Sequence, residues 1–225
     1  MNEKTALILG ASGVTGNFCL KFLLENENYK KVIALVRSPI DIQHPKLLVA
    51  MVDFNLTSTM EKYFEGVDDV FCCLGTNIKK AGSLSAFRRA DFHIPVEAAN
   101  IAAGHHVKQF LAISAHHADN HSSNDYLRVK GEMEVGLAQF NFTALHIFRL
   151  PQLREDMDET IETKSSGSLL SRIFNSKKTG SRSKKIIITP KTLAAAMVNA
   201  AQLNKSGEIH YSASQTLGLA GTKPA

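Results

Sequence analysis

An α/β fold built on a doubly wound parallel sheet is what the 225-residue sequence predicts. Short apolar runs rich in β-branched residues alternate with longer segments of helical period, which is the pattern of β-α-β units. The runs are apolar almost throughout, as expected for strands that helices cover on both faces. Hydrophobic residues make up 44% of the chain and charged residues 21%, so one domain with a sizeable core is expected.

Strands and helices are predicted to alternate along residues 1–150, which form the core of the domain. The six predicted strands cover residues 6–9, 32–36, 47–52, 67–74, 107–113 and 142–148. The predicted helices follow Gly16, cover 84–103 with a kink at Pro95 and an end at Gly104, and run from Asn124 or Asp125 to Gln139. Residues 151–225 are predicted to form a small substrate-side region of the same domain, with a helix that begins at Pro190.

Charge and cysteine usage narrow the expected partners and compartment. The net charge is +5, but the basic stretch 177–185 is interrupted by glycine and serine and has no aromatic residue for base stacking. A solvated loop is favoured over a docking patch, and neither nucleic acid nor a membrane is an expected partner.

Cys19, Cys72 and Cys73 lack metal-ligand spacing and are expected to be reduced core thiols. The sequence has no secretory pattern and no apolar run of roughly 18 residues, so a cytoplasmic protein is expected.

A glycine pattern follows the first predicted strand. Gly10, Gly13 and Gly16 are spaced as GxxGxxG and open directly into a helix, with Ser12, Val14 and Thr15 between them. Glycine permits a tight turn, and the first turn of a helix offers unpaired N–H groups and a positive dipole end to a pyrophosphate. Because strand, glycines and helix occur in register, the pattern predicts a dinucleotide-binding turn of the Rossmann type rather than a merely structural turn.

Residues after the second and third strands bear on which dinucleotide binds. Arg37 and Ser38 end the second strand, where an NAD-specific site presents a carboxylate to the ribose 2′-hydroxyl. Arg37 can pair with a 2′-phosphate instead, so NADP(H) is the predicted cofactor, although Arg37 can also be a solvated surface residue. Asp53, followed by Phe54, is predicted to accept a hydrogen bond from the adenine amino group, with a turn-forming aspartate as the alternative.

A tyrosine and a lysine supply candidate acid–base chemistry. Tyr126 and Lys130 stand at i and i+4 of a predicted helix and project from one face, and Ser114 lies upstream at the end of a strand. An ammonium beside a phenol favours the phenolate, so Tyr126 can exchange a proton with a carbonyl or alcohol oxygen that Ser114 also contacts. The alternative is an exposed amphipathic pair.

These residues together resemble the atypical short-chain dehydrogenase/reductases, and within them the Tat-interacting-protein-like oxidoreductases. The resemblance covers nearly the whole chain and rests on the glycine pattern, Asp53, the stretch 73–76 (Cys-Leu-Gly-Thr), Ser114, the segment 122–132 that contains Tyr126 and Lys130, and Phe148-Arg149. It implies that Gly75, between Leu74 and Thr76, lets the chain pass close to the cofactor. It also implies that Lys130 holds the nicotinamide ribose, Tyr126 is the acid/base and Ser114 is its polarising partner.

Two positions depart from the pattern of the family, and one loop stays open to interpretation. Asp91 stands about where many extended members have asparagine, and Leu150-Pro151 replaces the usual Pro-Gly. His116, His117 and His121 cluster between Ser114 and Tyr126, where a polar loop is favoured over a zinc site because the helical i, i+4 spacing is missing.

Three functions are consistent with the sequence. The favoured one is an NADP(H)-dependent oxidoreductase that reduces a small carbonyl compound by hydride transfer with Tyr126 as acid/base. The alternative is a weakly catalytic or non-catalytic NADP(H)-sensing regulator with a protein partner. An epimerase or dehydratase acting on a nucleotide sugar is disfavoured, because few residues follow the last predicted strand. A homodimer is also consistent with the sequence.

Overall fold

The computed structural model describes residues 3–151 and 187–222 of the chain. Within these ranges seven strands form one parallel sheet in the order β3-β2-β1-β4-β5-β6-β7. The strands are β1 (Lys4–Leu9), β2 (Tyr29–Val36), β3 (Leu47–Met51), β4 (Asp69–Cys72), β5 (Gln109–Ala115), β6 (Ala144–Leu150) and β7 (Gly207–Tyr211). The strand order reverses between β1 and β4, and in open parallel sheets ligands bind at the carboxyl ends of the strands at such a point.

Helices cover both faces of the sheet. They are α1 (Val14–Glu25), α2 (Ser58–Glu61), α3 (Ile78–Ala81), α4 (Leu84–Arg88), α5 (Ile94–Gly104), α6 (Asp125–Ala138), α7 (Pro190–Ala200) and α8 (Ala213–Ala220). Neighbouring residues of β1 point to opposite faces. Ile8 therefore packs in a core with Leu20 of α1 and Met197 of α7, and Leu7 packs in a second core with Met133 of α6. The predicted doubly wound parallel fold is confirmed.

All six predicted strands are present, and a seventh was not predicted. β7 extends the sheet beyond β6, and Tyr211 is its one buried residue. An edge strand with a single buried side chain lacks the apolar run on which the prediction depends. The substrate-side role expected of 151–225 stays a prediction: β7, α7 and α8 extend the sheet and its helical layer, while residues 152–186, with the basic stretch 177–185, lie outside the described residues.

The long helix predicted over 84–103 contains a wide turn. α4 continues through a π-helical turn, Arg89–His93, into α5, and Pro95 occupies the first turn of α5. Proline cannot donate to the preceding turn of a continuous helix, and it stands just after the π-helical turn, where the regular hydrogen-bond ladder is already interrupted. Gly104 is the last residue of the helix, and the left-handed residue that follows is His106, with φ of 58°.

No helix among the described residues is both long and apolar enough to cross a bilayer. Cys19, Cys72 and Cys73 are free and buried, as predicted.

Candidate active site

The turn after β1 requires glycine, because a side chain at Gly10 or Gly16 would collide with neighbouring backbone atoms. Gly10 has φ of 84°, and a Cβ there would lie 2.8 Å from the carbonyl oxygen of Cys73. A Cβ on Gly16 would overlap the carbonyl oxygen of Gly10, so α1 approaches the end of β1 as only glycine allows. The first turn of α1 has no side-chain cap at Gly13, and Ser12, Gly13 and Val14 are exposed while Thr15 is half-buried. The N–H of Gly13 donates to the carbonyl oxygen of Gly10, and the unpaired N–H groups of the first turn of α1 form the kind of cradle that a pyrophosphate fits.

The two residues predicted to read the ribose end lie beside the cradle. Arg37 and Ser38 directly follow β2, next to β1 in the sheet, and both are exposed. Asp53 forms a turn, because its Oδ1 accepts from the backbone N–H and the side-chain amide of Asn55 at 2.9 and 3.0 Å. Phe54 is buried, and its carbonyl oxygen accepts from Arg89 at 2.5 Å. The turn interpretation of Asp53 therefore matches its contacts, and the adenine contact stays a prediction.

Lys130 lies at the centre of a buried cluster at the carboxyl ends of β4 and β5. Its Nζ forms an ion pair with Oδ1 of Asp91 at 2.7 Å, and the two side chains are 4% and 0% exposed. Nζ also donates to the carbonyl oxygen of Ile113 at 3.2 Å. Burial lowers the pKa of Lys130, but the Asp91 carboxylate and the nearby Tyr126 phenol outweigh it and leave the pKa above its ordinary value. Lys130 therefore remains a cation in the interior.

Asp91 links this lysine to the loop after β4. Its Oδ2 accepts from the backbone N–H of Thr76 at 3.0 Å. A Cβ on Gly75 would lie 3.8 Å from Oδ1 of Asp91 and 4.0 Å from Nζ of Lys130, so the loop passes directly over the ion pair. Leu74 is half-buried beside it. Asp91 thus connects Lys130 with the stretch 74–76, two parts of the chain that the family resemblance places at the cofactor. From the sequence, Asp91 is recognisable only as a departure from the asparagine of the family.

Tyr126 stands at the mouth of this cluster. Its ring stacks on Phe87 with centroids 5.5 Å apart, and the residue is half-buried. It lines a cavity of about 520 Å³ with Asn77, Ile78, Lys79, Asn124 and Leu127. Among the described residues its hydroxyl has no hydrogen-bond partner. A phenol held by stacking, with a free hydroxyl beside a cavity, is placed to meet a ligand.

Ser114 is not hydrogen-bonded to Tyr126 among the residues that the structure describes. Its hydroxyl donates to Oε1 of Glu134 at 2.5 Å, and Glu134 in turn pairs with Arg149, whose Nε lies 3.0 Å from each carboxylate oxygen. Sequence reasoning missed this cluster. Glu134 stands four residues after Lys130, on the same face of α6, and that spacing was the available signal.

The histidine loop fits its polar interpretation. His116 and His117 are exposed, their ring centroids lie 3.8 Å apart, and His117 has φ of 63°. Across residues 3–151 and 187–222, no group of three or more His, Cys, Asp or Glu side chains can hold a metal ion. The same loop passes close to α6, since a Cβ on Gly131 would overlap the backbone of Asp119 and Asn120.

Comparison with known proteins now identifies the family. A family model described as NAD(P)H-binding matches residues 10–168. The chain belongs to this family. The protein HTATIP2 of Rattus norvegicus is 35% identical over 163 residues, which cover 71% of this chain and 67% of that protein. The predicted resemblance to atypical short-chain dehydrogenase/reductases close to HTATIP2 is confirmed, and NAD(P)H binding with it.

Other relatives bear on the location of the protein in the cell. FMP52-2, mitochondrial, of Scheffersomyces stipitis is 31% identical over 146 residues, 64% of each chain, so the match spans about two thirds of the length of these relatives. FMP52 of Debaryomyces hansenii is likewise named mitochondrial. These names contradict the expected cytoplasmic location, which rested on reduced cysteines and on the lack of a recognisable secretory or membrane-spanning pattern.

Solved structures share the fold at low identity. The enzyme WbmH of Bordetella bronchiseptica, solved in complex with NAD+, has a TM-score of 0.68 at 18% identity and covers 92% of this chain and 75% of its own. The oxidoreductase ylbE of Lactococcus lactis has a TM-score of 0.63 at 16% identity and covers 95% of both chains. This NAD(P)H-binding protein therefore has an oxidoreductase-type fold.

Proposed function

We propose that this protein is an NADP(H)-dependent oxidoreductase that interconverts a small carbonyl compound and its alcohol, with Tyr126 as the acid/base. One observation carries the proposal. The free hydroxyl of Tyr126 borders a cavity and lies close to the buried cation Lys130, over which the loop at Gly75 passes. Acid–base chemistry and the cofactor-facing loop thereby meet at one edge of the sheet.

The residues of the cradle fit a dinucleotide. The exposed first turn of α1 is suited to the pyrophosphate, and Arg37 and Ser38 are suited to a 2′-phosphate because they are exposed and no carboxylate stands beside them in sequence. Lys130 donates a hydrogen bond to the carbonyl oxygen of Ile113 and forms an ion pair with Asp91. An ammonium has three N–H groups, so donor capacity is left for a ribose hydroxyl. The bound cofactor supplies or accepts the hydride.

Tyr126 would donate its proton to the oxygen of the carbonyl carbon that receives the hydride. The Lys130 cation stabilises the negative charge that the phenol oxygen then acquires, while Asp91 keeps that cation in place. Stacking on Phe87 limits the movement of the ring. A small-molecule substrate is the expected partner, and the apolar side chains Ile78 and Leu127 favour one with an apolar body.

The test is titration of cofactor-free protein with NADPH and NADH, followed by NADPH oxidation with small aldehydes, ketones and quinones. Tyr126→Phe is expected to lower turnover by roughly 10²–10⁴-fold and to leave NADPH affinity unchanged, because only the proton donor is deleted. Tyr63→Phe, a tyrosine packed near α2, is the matched control and should keep full turnover. Equal turnover in Tyr126→Phe and the wild type would contradict the proposal.

The second candidate is an NADP(H)-sensing regulator with little or no turnover. Two contacts favour it: Asp91 neutralises Lys130, and Ser114 is bound to Glu134 rather than free for substrate. NADPH binding without turnover across the panel, in the wild type and in Tyr126→Phe alike, would favour this function. A protein partner or a second copy of the chain would then be sought on the surface.

A further inference from the structure

The hydrogen bond from Ser114 to Glu134 fixes the direction of the only proton that Ser114 carries. Both residues are 4% exposed, so water does not compete for this bond. A hydroxyl has one donor and two acceptor lone pairs. Because its hydroxyl proton is donated to Glu134, Ser114 can only accept a hydrogen bond from any other group. This is the reverse of the polarising role that the family resemblance implies.

Arg149 holds the Glu134 side chain in place. Nε of Arg149 contacts both carboxylate oxygens at 3.0 Å, and Nη2 pairs with one of them. The hydrogen bond to Glu134 raises the pKa of Arg149 above its ordinary value. Ser114 and Arg149 are also directly paired in register on β5 and β6, so both ends of the cluster stand on strands. The geometry is therefore rigid before any ligand arrives.

We propose that Glu134 is a positioning residue that holds Ser114 as a hydrogen-bond acceptor, so that the site selects the alcohol form of its ligand over the matching ketone. The inference rests on the proposed function, in which the ligand binds at the carboxyl ends of β4 and β5. Ser114 lies there, one residue after Ile113, whose carbonyl oxygen accepts from Lys130. An alcohol can donate to Ser114, whereas a ketone cannot. A ketone either lacks a hydrogen bond with Ser114 or draws the Ser114 hydroxyl away from the Glu134 carboxylate, and either loss corresponds to a preference of about tenfold or more.

The experiment measures binding without reaction. Protein saturated with NADP+ is titrated calorimetrically with 2-phenyl-2-propanol and, separately, with acetophenone. The tertiary alcohol has no hydrogen on its carbinol carbon, and NADP+ has no hydride to give to the ketone, so neither ligand turns over. The wild type is expected to bind the alcohol about tenfold or more tightly than the ketone.

Glu134→Gln provides the informative variant. The glutamine oxygen can still accept from Arg149, while its amide N–H can donate to Ser114 and free the serine proton for a ketone. The preference for the alcohol should therefore disappear or reverse, a change that a merely structural role of Glu134 would not produce. Ser114→Ala should bind both ligands without preference. Glu132→Gln, which removes a carboxylate of α6 that pairs with Arg88 instead, should keep the preference of the wild type.

Each result decides between distinct conclusions. If Glu134→Gln does not fold, Ser114→Ala and Glu132→Gln still test the inference. Protein that binds NADP+ but prefers the ketone, binds neither ligand, or keeps its alcohol preference in Ser114→Ala overturns this inference alone. Protein that binds neither NADP+ nor NADPH overturns the proposed function, and this inference with it.

Discussion

Two buried sets of polar side chains lie at opposite ends of the same strands, and they differ in what they leave unpaired. At the amino ends, Asp69 of β4 accepts hydrogen bonds from Lys4, Tyr29 and Gln109. The set continues through His146 of β6, whose two ring nitrogens bond to Gln109 and to Tyr211. We call these six residues the amino-end network: one side chain comes from each strand from β2 to β7 in sheet order, and Tyr211, the last residue of β7, joins it through its hydroxyl.

At the carboxyl ends, the pairing is incomplete. Within the described residues, Oδ1 of Asp91 has no hydrogen-bond partner beyond its ion-pair contact with Lys130, and the Tyr126 hydroxyl has no partner. Arg149 is 40% exposed in its side chain although it is paired with Glu134. Buried polar groups without partners destabilise a fold, so a network that only supports the structure is expected to satisfy every member. The incomplete set is the one placed to bind a ligand.

The largest expected effect separates the two sets by stability. Asp69→Ala leaves the buried Tyr29 hydroxyl without its acceptor and removes the ion-pair partner of Lys4, so it should lower the free energy of unfolding by about 3 kcal/mol, measured by urea denaturation. NADPH affinity should not change, because Asp69 stands at the far end of β4. A loss of NADPH affinity comparable to the loss of stability would show that the two ends of the sheet are not independent.

The neighbouring aspartate is the matched control for this substitution. Asp68 pairs with Lys108, whose side chain is 64% exposed, and also accepts from the N–H of Thr5. An exposed ion pair contributes little, so Asp68→Ala should lower the free energy of unfolding by only about 1 kcal/mol.

The same contrast explains what the sequence could predict. Strands β1 to β6 are apolar runs, and the glycine turn and the i, i+4 spacing of Tyr126 and Lys130 are local patterns. All of them can therefore be recognised from the sequence alone. The pairs Lys130–Asp91 and Ser114–Glu134 join residues 39 and 20 positions apart, and the first depends on a π-helical turn that directs Asp91 inward. No local pattern specifies such pairs, because packing between elements decides them.

A smaller effect tests the amino-end network by pH. Burial, followed by the charge of Lys205, lowers the pKa of His146 to about 4 from its ordinary 6.5. The unfolded chain therefore binds a proton that the folded chain does not between these values. The stability is present in full above pH 6.5 and is lost as pH falls toward 4, by at most about 3 kcal/mol and less where relaxation occurs.

His146→Gln isolates this contribution because glutamine does not titrate. Urea denaturation at a series of pH values between 6.5 and 4 should show a shallower loss of stability in His146→Gln than in the wild type. His121→Gln, at an exposed histidine, should follow the wild type. Parallel curves for His146→Gln and the wild type would mean that folding does not lower the pKa of His146.

The smallest effect is expected at the carboxyl ends of the strands, where a substitution should weaken ligand binding without changing the free energy of unfolding. Arg37 is exposed and, among the described residues, has no hydrogen-bond or ion-pair partner. Arg37→Ala should therefore leave the urea midpoint unchanged while it weakens NADPH binding about tenfold and NADH binding hardly at all, since only NADPH has a 2′-phosphate for a guanidinium to contact. Calorimetric titration with both cofactors measures the ratio. An equal loss for both would show that Arg37 does not read the 2′-phosphate, and the preference for NADP(H) would be wrong even if cofactor binding itself stands.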